Sequence, residues 1–458
     1  MRSKKALNGA GIATAIVVIA MTAGCGSGND DTDTNSSDGG DGAATIDYWL
    51  WDDAQLPAYQ QCADDFTAAN PNITVKISQY GWGEYWTNLA TQIAAGSAPD
   101  VWVDQASYYP QFVADKQIED LQPYIDKDAA AVDFDSYVPG LADIWVVDGA
   151  RYGLPKDWDT IGLVINKAAA ADAGLDPAAL QDLTWNPDDG GTFEDAIAKL
   201  TVDEAGHHGD DPAFDKSNVA VYGFLPEWAD GSQGQNLWGN LAHSNGFSYS
   251  DKNPFGTEFH YDSPKLAETI DWMASLADKG YAPPFDQQST LSRLEVLQSG
   301  TGAMTSMGSF NQLMFKDVAG DYAFAPLPSG PEGRRSAING LSDALYAGGK
   351  HKDQAWEWVK YLASPECQSV VGATGVIFPA NSEASDASIA KRADLGLDAS
   401  VFLSYVKDAD GTFLIPINYN GSEMSQIVQD AIQSVALGTD DAESALSDAN
   451  AKVNALFK

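Results

Sequence analysis

Apolar and polar positions along the chain change period in step with its turn residues. Thr45 to Trp51 predict a strand, and Tyr59, Cys62, Phe66 and Ala69 then recur at three- and four-residue steps, the spacing of one helix face. Asn70-Pro71 ends that helix. Ile73, Val75 and Ile77 alternate as in a half-buried strand, a helix covers Tyr85 to Ala95, and Asp100 to Val103 read as a short apolar strand after Pro99. Strand and helix thus alternate, which predicts an α/β fold with a largely parallel sheet. A second stretch of the same kind runs from Tyr152 to Ala325, with helices near Phe193 to Leu200, Lys265 to Lys279 and Leu291 to Ser299. Further on, Trp356, Val359 and Leu362 or Ala363 share one face of a helix from Asp353 to Ala363. Ser364-Pro365-Glu366 read as an N-cap with proline in the first turn of the next helix. Two amphipathic helices, Met424 to Leu437 and Ala442 to Phe457, close the chain on either side of Gly438. No internal repeat of solenoid period is present.

The N-terminus reads differently. Arg2, Lys4 and Lys5 precede an apolar stretch from Ile12 to Met21 that is too short to span a bilayer, the form of an export signal over residues 1–24. Met21-Thr22-Ala23-Gly24-Cys25 resembles the lipobox of bacterial lipoproteins, which implies that Cys25 is diacylated and becomes the new N-terminus. Two acyl chains give stable attachment to a membrane surface. The residues after Cys25 lack large apolar and basic side chains, so residues 25–44 are expected to be a flexible tether that cannot offset its chain entropy. The formal charge of -39 becomes -42 once Arg2, Lys4 and Lys5 leave with the signal. Such a surface repels nucleic acid. The length that remains exceeds what a single core normally supports, so at least two lobes are expected. Cys62 and Cys367 form an even pair in an oxidising compartment; a disulfide and two separate buried thiols both fit their spacing.

No GxSxG, HExxH, Walker or CxxC motif occurs, so neither an enzyme nor a cofactor is expected. His207-His208, beside Asp210 and Asp211, read as a solvated polar loop, and no metal is expected there. The 13 Trp and 18 Tyr say more, because they stand beside acids and amides in several loops. A pyranose ring presents a C–H face that stacks on indole and a rim of hydroxyls that needs polar partners. Trp51-Asp52-Asp53, Trp82-Gly83-Glu84, Asp104-Gln105 and Trp158-Asp159 have that mixture, and the first and third follow strands, where open α/β sheets bind ligands.

Four stretches then carry a resemblance that covers nearly everything from Thr45 to Lys458. They are Ala98-Pro99-Asp100-Val101; Tyr152-Gly153-Leu154-Pro155 with Asn166-Lys167; Gly302-Ala303-Met304 with Gly308-Ser309-Phe310; and Ala355 to Leu362 running into Ser364-Pro365-Glu366. In that order and spacing the chain resembles the family 1 extracellular solute-binding proteins. The resemblance implies a periplasmic-binding-protein-like type II fold, with two α/β lobes, a hinge and a ligand cleft between them. It places an N-terminal lobe at 45–157 plus 337–367 and a C-terminal lobe at 158–336 plus 368–458. Onto the family's cleft loops fall Trp51, Asp52, Asp53, Asp104, Gln105, Asp159, Phe310, Tyr419 and Asn420, to which the aromatic and acidic loops add Glu84, Trp158 and Trp228. Phe310 stands where many members carry Trp. The implied function is capture of a neutral mono- or oligosaccharide by a monomer on the outer face of the cell membrane. The implied partners are the permease subunits of an ABC importer, with lobe closure as the signal. A surface-anchored glycoside hydrolase using two of the cleft acids, and an adhesin or sensor lipoprotein, are the alternatives at this stage.

Overall fold

The computed structural model describes residues 43–458 apart from 129–131, 177, 229–230, 289–291 and 409. The export signal, Cys25 and all but the end of the expected tether lie outside the described residues, and Ala44 already belongs to the first strand. No helix among the described residues is long and apolar enough to cross a membrane.

Strands β1 (Ala44–Leu50), β2 (Ile73–Gln79) and β3 (Val101–Gln105) alternate with helices α1 (Leu56–Ala69) and α2 (Trp82–Ala94), as the pattern predicts. After β4 (Asp157–Asp159) a single residue, Thr160, separates it from β5 (Ile161–Asn166). Helices α3 (Gly191–Leu200), α4 (Pro264–Asp278) and α5 (Arg293–Ser299) lead to β6 (Met304–Gly308) and β7 (Tyr322–Pro326). The ten-residue β8 (Ser336–Leu345) follows, then α6 (Lys352–Leu362), α7 (Pro365–Thr374), β9 (Phe378–Pro379), α8 (Ser382–Asp394) and β10 (Thr412–Leu414). Helices α9 (Gly421–Ala436) and α10 (Ala442–Ala455) pack on each other and on α4.

Two sheets organise these elements. The larger has the order β9-β4-β8-β3-β1-β2, with β10 pairing the start of β8; the smaller has the order β6-β5-β7. The expected, largely parallel sheet is corrected here. β1 runs parallel to β2 and β3, but β8 is antiparallel to β3 and β4, and the smaller sheet is antiparallel throughout. The helix–strand alternation that signals parallel crossovers holds only for the first three strands, because β8 returns from the smaller sheet through a Gly- and Pro-rich loop rather than a helix. Ile161, Leu163 and Ile165 of β5 face a core shared with α3, α4 and α9, whereas β1 and β3 pack against α1 and α6 through Ile46, Tyr48, Val101 and Val103.

Ser364 caps α7, its hydroxyl accepting from the Cys367 amide, with Pro365 in the first turn. That helix packs on α1, and Cys62 of α1 is disulfide-bonded to Cys367 with Cα atoms 5.3 Å apart. The two thiols left open by the spacing are therefore one bridge. β9 then joins β4 at the sheet edge, so the chain stays with the larger sheet past residue 367, where the resemblance had it leave. The physical reason is the bridge together with the α1–α7 packing, which hold the segment in place.

The bridge spans 305 residues of sequence, and cross-linking a loop that long removes much of the unfolded chain's freedom. In the unfolded, unreduced protein neither Cys62 nor Cys367 should react with a thiol reagent. Replacing both by Ala should destabilise the fold by about 2–5 kcal/mol in denaturant titration; two reactive thiols from these positions would contradict the assignment.

Candidate functional site

A cavity of about 500 Å³ opens between the larger sheet and the segments that accompany the smaller one. From the larger sheet come the loop Trp51 to Gln55, Trp82 at the start of α2, Gln105 at the end of β3, Asp157 and Asp159 of β4, and Asn339 and Leu341 of β8. Ser232, Gln235, Asn236, Phe310, Asn311 and Met314 form the opposite wall. Trp51 is set edge-on to Trp82 and to Tyr85, each with centroids 5.1 Å away, which fixes its ring plane as quadrupole-bearing rings prefer. Phe310 lies two residues past the end of β6, after Ser309. A Cβ on Gly308 would lie 2.1 Å from the Phe310 ring, so only glycine lets that ring fold back over the strand end.

Strand alternation decides which of the expected residues reach the cavity. Successive side chains point to opposite faces of a sheet, so Asp157 and Asp159 share one face and Trp158 takes the other. Trp158 is accordingly buried against Phe378, its indole N–H donating to the Ser385 hydroxyl at 3.3 Å. The same alternation puts Gln105 on the wall and turns Asp104 into the interior, where it accepts from the Gln105 amide at 2.9 Å. Glu84 is exposed: it lies two residues from Trp82, across the helix from the face that Trp82 and Trp86 share. Trp228 is buried and lines a separate cavity with Phe285 and Arg293. Tyr419 packs on Phe255, and Asn420 donates to the Leu456 carbonyl, held there by the packing of the chain end. The structure therefore brings Trp51, Asp52, Asp53, Gln105, Asp159 and Phe310 together and leaves Glu84, Asp104, Trp158, Trp228, Tyr419 and Asn420 off this wall. Asp157 was legible as the residue two before Asp159. Asn339 carried no signal in the sequence, because only the antiparallel register places it opposite Asp159.

The wall is rich in acceptors. Asp52 accepts from the Ala54 amide at 2.9 Å and the Gln55 side chain at 2.8 Å, and Asp159 accepts from Gln235 at 2.7 Å. Among the described residues, Asp157 Oδ2 and Asn339 Oδ1 have no hydrogen-bond partner. Burial raises the Asp157 carboxyl to about 7 against the pull of Lys156, and holds Asp159 well above the ordinary carboxylate range. Asp52 is raised by the same cause, with its bonds from Gln55 and Ala54 opposing.

Residues 61–396 match the bacterial extracellular solute-binding protein family, and the chain belongs to it. A binding protein of Brucella abortus (strain 2308) is 23% identical over 409 residues, 88% of this chain and 90% of that relative. Among solved structures, an ABC substrate-binding protein of Listeria monocytogenes in complex with cycloalternan superposes with a TM-score of 0.77 at 20% identity, covering 90% of this chain and 98% of that one. The GacH receptor of Streptomyces glaucescens, solved unliganded and with acarbose, gives 0.72 at 19% identity and the same coverage. The shared fold is the two-lobed type II arrangement with its cleft between lobes.

The Asp157 carboxyl has a testable sign. Its folded value lies above that of an unfolded carboxylate, so the folded protein keeps a proton that the unfolded chain has already released. Stability from this group is full below about pH 4 and is lost as the pH rises toward 7. Thermal melts of the ligand-free protein should show Asp157→Asn gaining on the native chain steadily from pH 4 to pH 8. A gap independent of pH would refute the assignment.

Proposed function

We propose that this protein captures an oligosaccharide outside the cell and delivers it, unaltered, to an ABC importer. The observation that carries the reading is the pairing of aromatic faces, Trp51, Trp82 and Phe310, with buried acceptors of which Asp157 Oδ2 and Asn339 Oδ1 await donors. Sugar rings supply both a stacking face and hydroxyl donors. The cycloalternan and acarbose held by the two similar structures support a carbohydrate as the ligand class.

Sheet membership and helix packing together suggest the moving bodies: residues 45–159 with 336–394 as one lobe and 160–335 with 395–458 as the other, with the pairing of β10 to the start of β8 lying at their junction. The short passages at Thr160 and before Ser336 act as hinges, and a ligand touching both walls favours the closed form by its differential affinity. The importer's permease subunits then read the closed form, and a diacylated Cys25 keeps the monomer at the membrane surface.

Thermal-shift screening against mono- to pentasaccharides, followed by calorimetry, tests the reading. A tight ligand should stabilise the protein by mass action and be recovered intact, and small-angle scattering should show compaction on binding. Trp51→Ala or Phe310→Ala should each weaken binding by roughly 1–3 kcal/mol while the chain stays folded. Cleavage of the sugar would establish a hydrolase instead, and binding without compaction a receptor of another kind.

A further inference from the structure

Every ionisable group on the cavity wall is an acid. Asp52, Asp53, Asp157 and Asp159 line it, and no Lys, Arg or His does so among the described residues. The nearest buried cation, Lys156, is engaged elsewhere: its ammonium lies 2.8 Å from the Tyr48 hydroxyl and 3.2 Å from both oxygens of Asp343, beside the Tyr59 ring. It answers the charge of Asp343 first and pulls on Asp157 only from behind the wall, so among the described residues the wall acids have neutral donors but no cation on the cavity side. A cavity of this volume is only ~10 Å across, about one Debye length at physiological salt, so an ammonium inside it lies within reach of all four carboxyls with little screening and favours the ionised form of those that burial keeps protonated.

The unsatisfied atoms point the same way. Asp157 is 1% exposed and Asn339 2%, both are wall residues, and the unpartnered atom of each is an acceptor. A hydroxyl answers one such atom and adds no charge, whereas an ammonium offers three donors and a positive charge. The indoles of Trp51 and Trp82 and the ring of Phe310 complete the match, because aromatic faces attract cations.

We propose that the ligand is an amino sugar, a polyhydroxylated framework bearing a protonated amine that seats against Asp157 and the acids around it. The proposal rests on the carbohydrate reading above and replaces the expectation of a neutral ligand. Burial raises the carboxyls of Asp52, Asp157 and Asp159, with neighbouring acids adding to the shift, and an ammonium in the cavity would offset that cost.

Calorimetry at pH 6 on the mature chain decides it with matched sets: glucosamine, galactosamine, mannosamine and their β-1,4 oligomers, each against its N-acetylated and plain hydroxyl counterparts. In the set that binds most tightly, the amine should exceed both neutral members by about tenfold or more. Asp157→Asn should reduce that ratio to below about threefold. Should that variant fail to fold, the exposed Asp53→Asn should still lower the ratio by about twofold, since it removes one wall charge. Neutral sugars binding as tightly as the amines would overturn the amino-sugar assignment and leave the carbohydrate reading standing. An undiminished amine preference in the folded variants would place the amine elsewhere and overturn it as well. Binding of no sugar in any set would overturn both.

Discussion

The contact on which the site most depends lies beneath it, in the interior of the larger sheet. The Lys156 ammonium, the Asp343 carboxylate and the Tyr48 hydroxyl form a closed triangle with sides of 2.7 to 3.2 Å, and the ion pair is 2% and 4% exposed at its two side chains. Burial raises Asp343 and lowers Lys156, each toward neutrality, and their mutual attraction opposes both shifts. A pair this deep adds little net stability over an apolar substitute, yet losing one member leaves a buried charge that costs about 3–5 kcal/mol. What it supplies is position. Tyr48 belongs to β1, Asp343 to β8, and Lys156 leads into β4, its backbone bonded to Leu341 and Ala380. The triangle therefore sets where Asp157 and Asp159 stand.

A second buried cation holds the opposite wall. The Arg392 guanidinium of α8, fully buried, donates to the carbonyls of Gly375 and Val376 on the larger-sheet side, and to the Ser309 carbonyl and Gln312 side chain beside Phe310. Its planar array of donors suits several carbonyls at once, which a lysine could not reproduce. Burial lowers it to about 9, still protonated at neutral pH. Together the two cations explain a division of labour in a very acidic chain. Basic side chains at the core of the structure bind backbone and structural acids, while among the described residues the cavity wall itself carries acids and no base.

A cleft between two bodies also explains why the site is both buried and adaptable. Thr160 alone separates β4 from β5, and its carbonyl accepts from the Ser309 amide while its hydroxyl donates to the Phe402 carbonyl. The short crossing keeps the two sheets in register at their junction. Farther from it, Trp51 and Trp82 on one side and Phe310 and Met314 on the other belong to different sheets, so their separation follows the angle between lobes.

By itself the sequence determined the period of the first three strands and of the helices it marked, the Ser364 cap, and the aromatic and acidic loop that ends β1. These are local properties, carried by side-chain spacing and by backbone preferences of proline and glycine, whereas the two lobes followed from chain length and the family resemblance, and the placing of Phe310 from the resemblance alone. Alternation within β4 was also present in the sequence, and would have exchanged Trp158 for Asp157. Only the tertiary structure decided the rest: that β8 runs antiparallel and sets Asn339 opposite Asp159, that Cys62 meets Cys367, and that Tyr419 and Trp228 stand off the main cavity. Each of these depends on segments far apart in the chain meeting in one register, and single-chain periodicity holds no record of which strand becomes the neighbour of which.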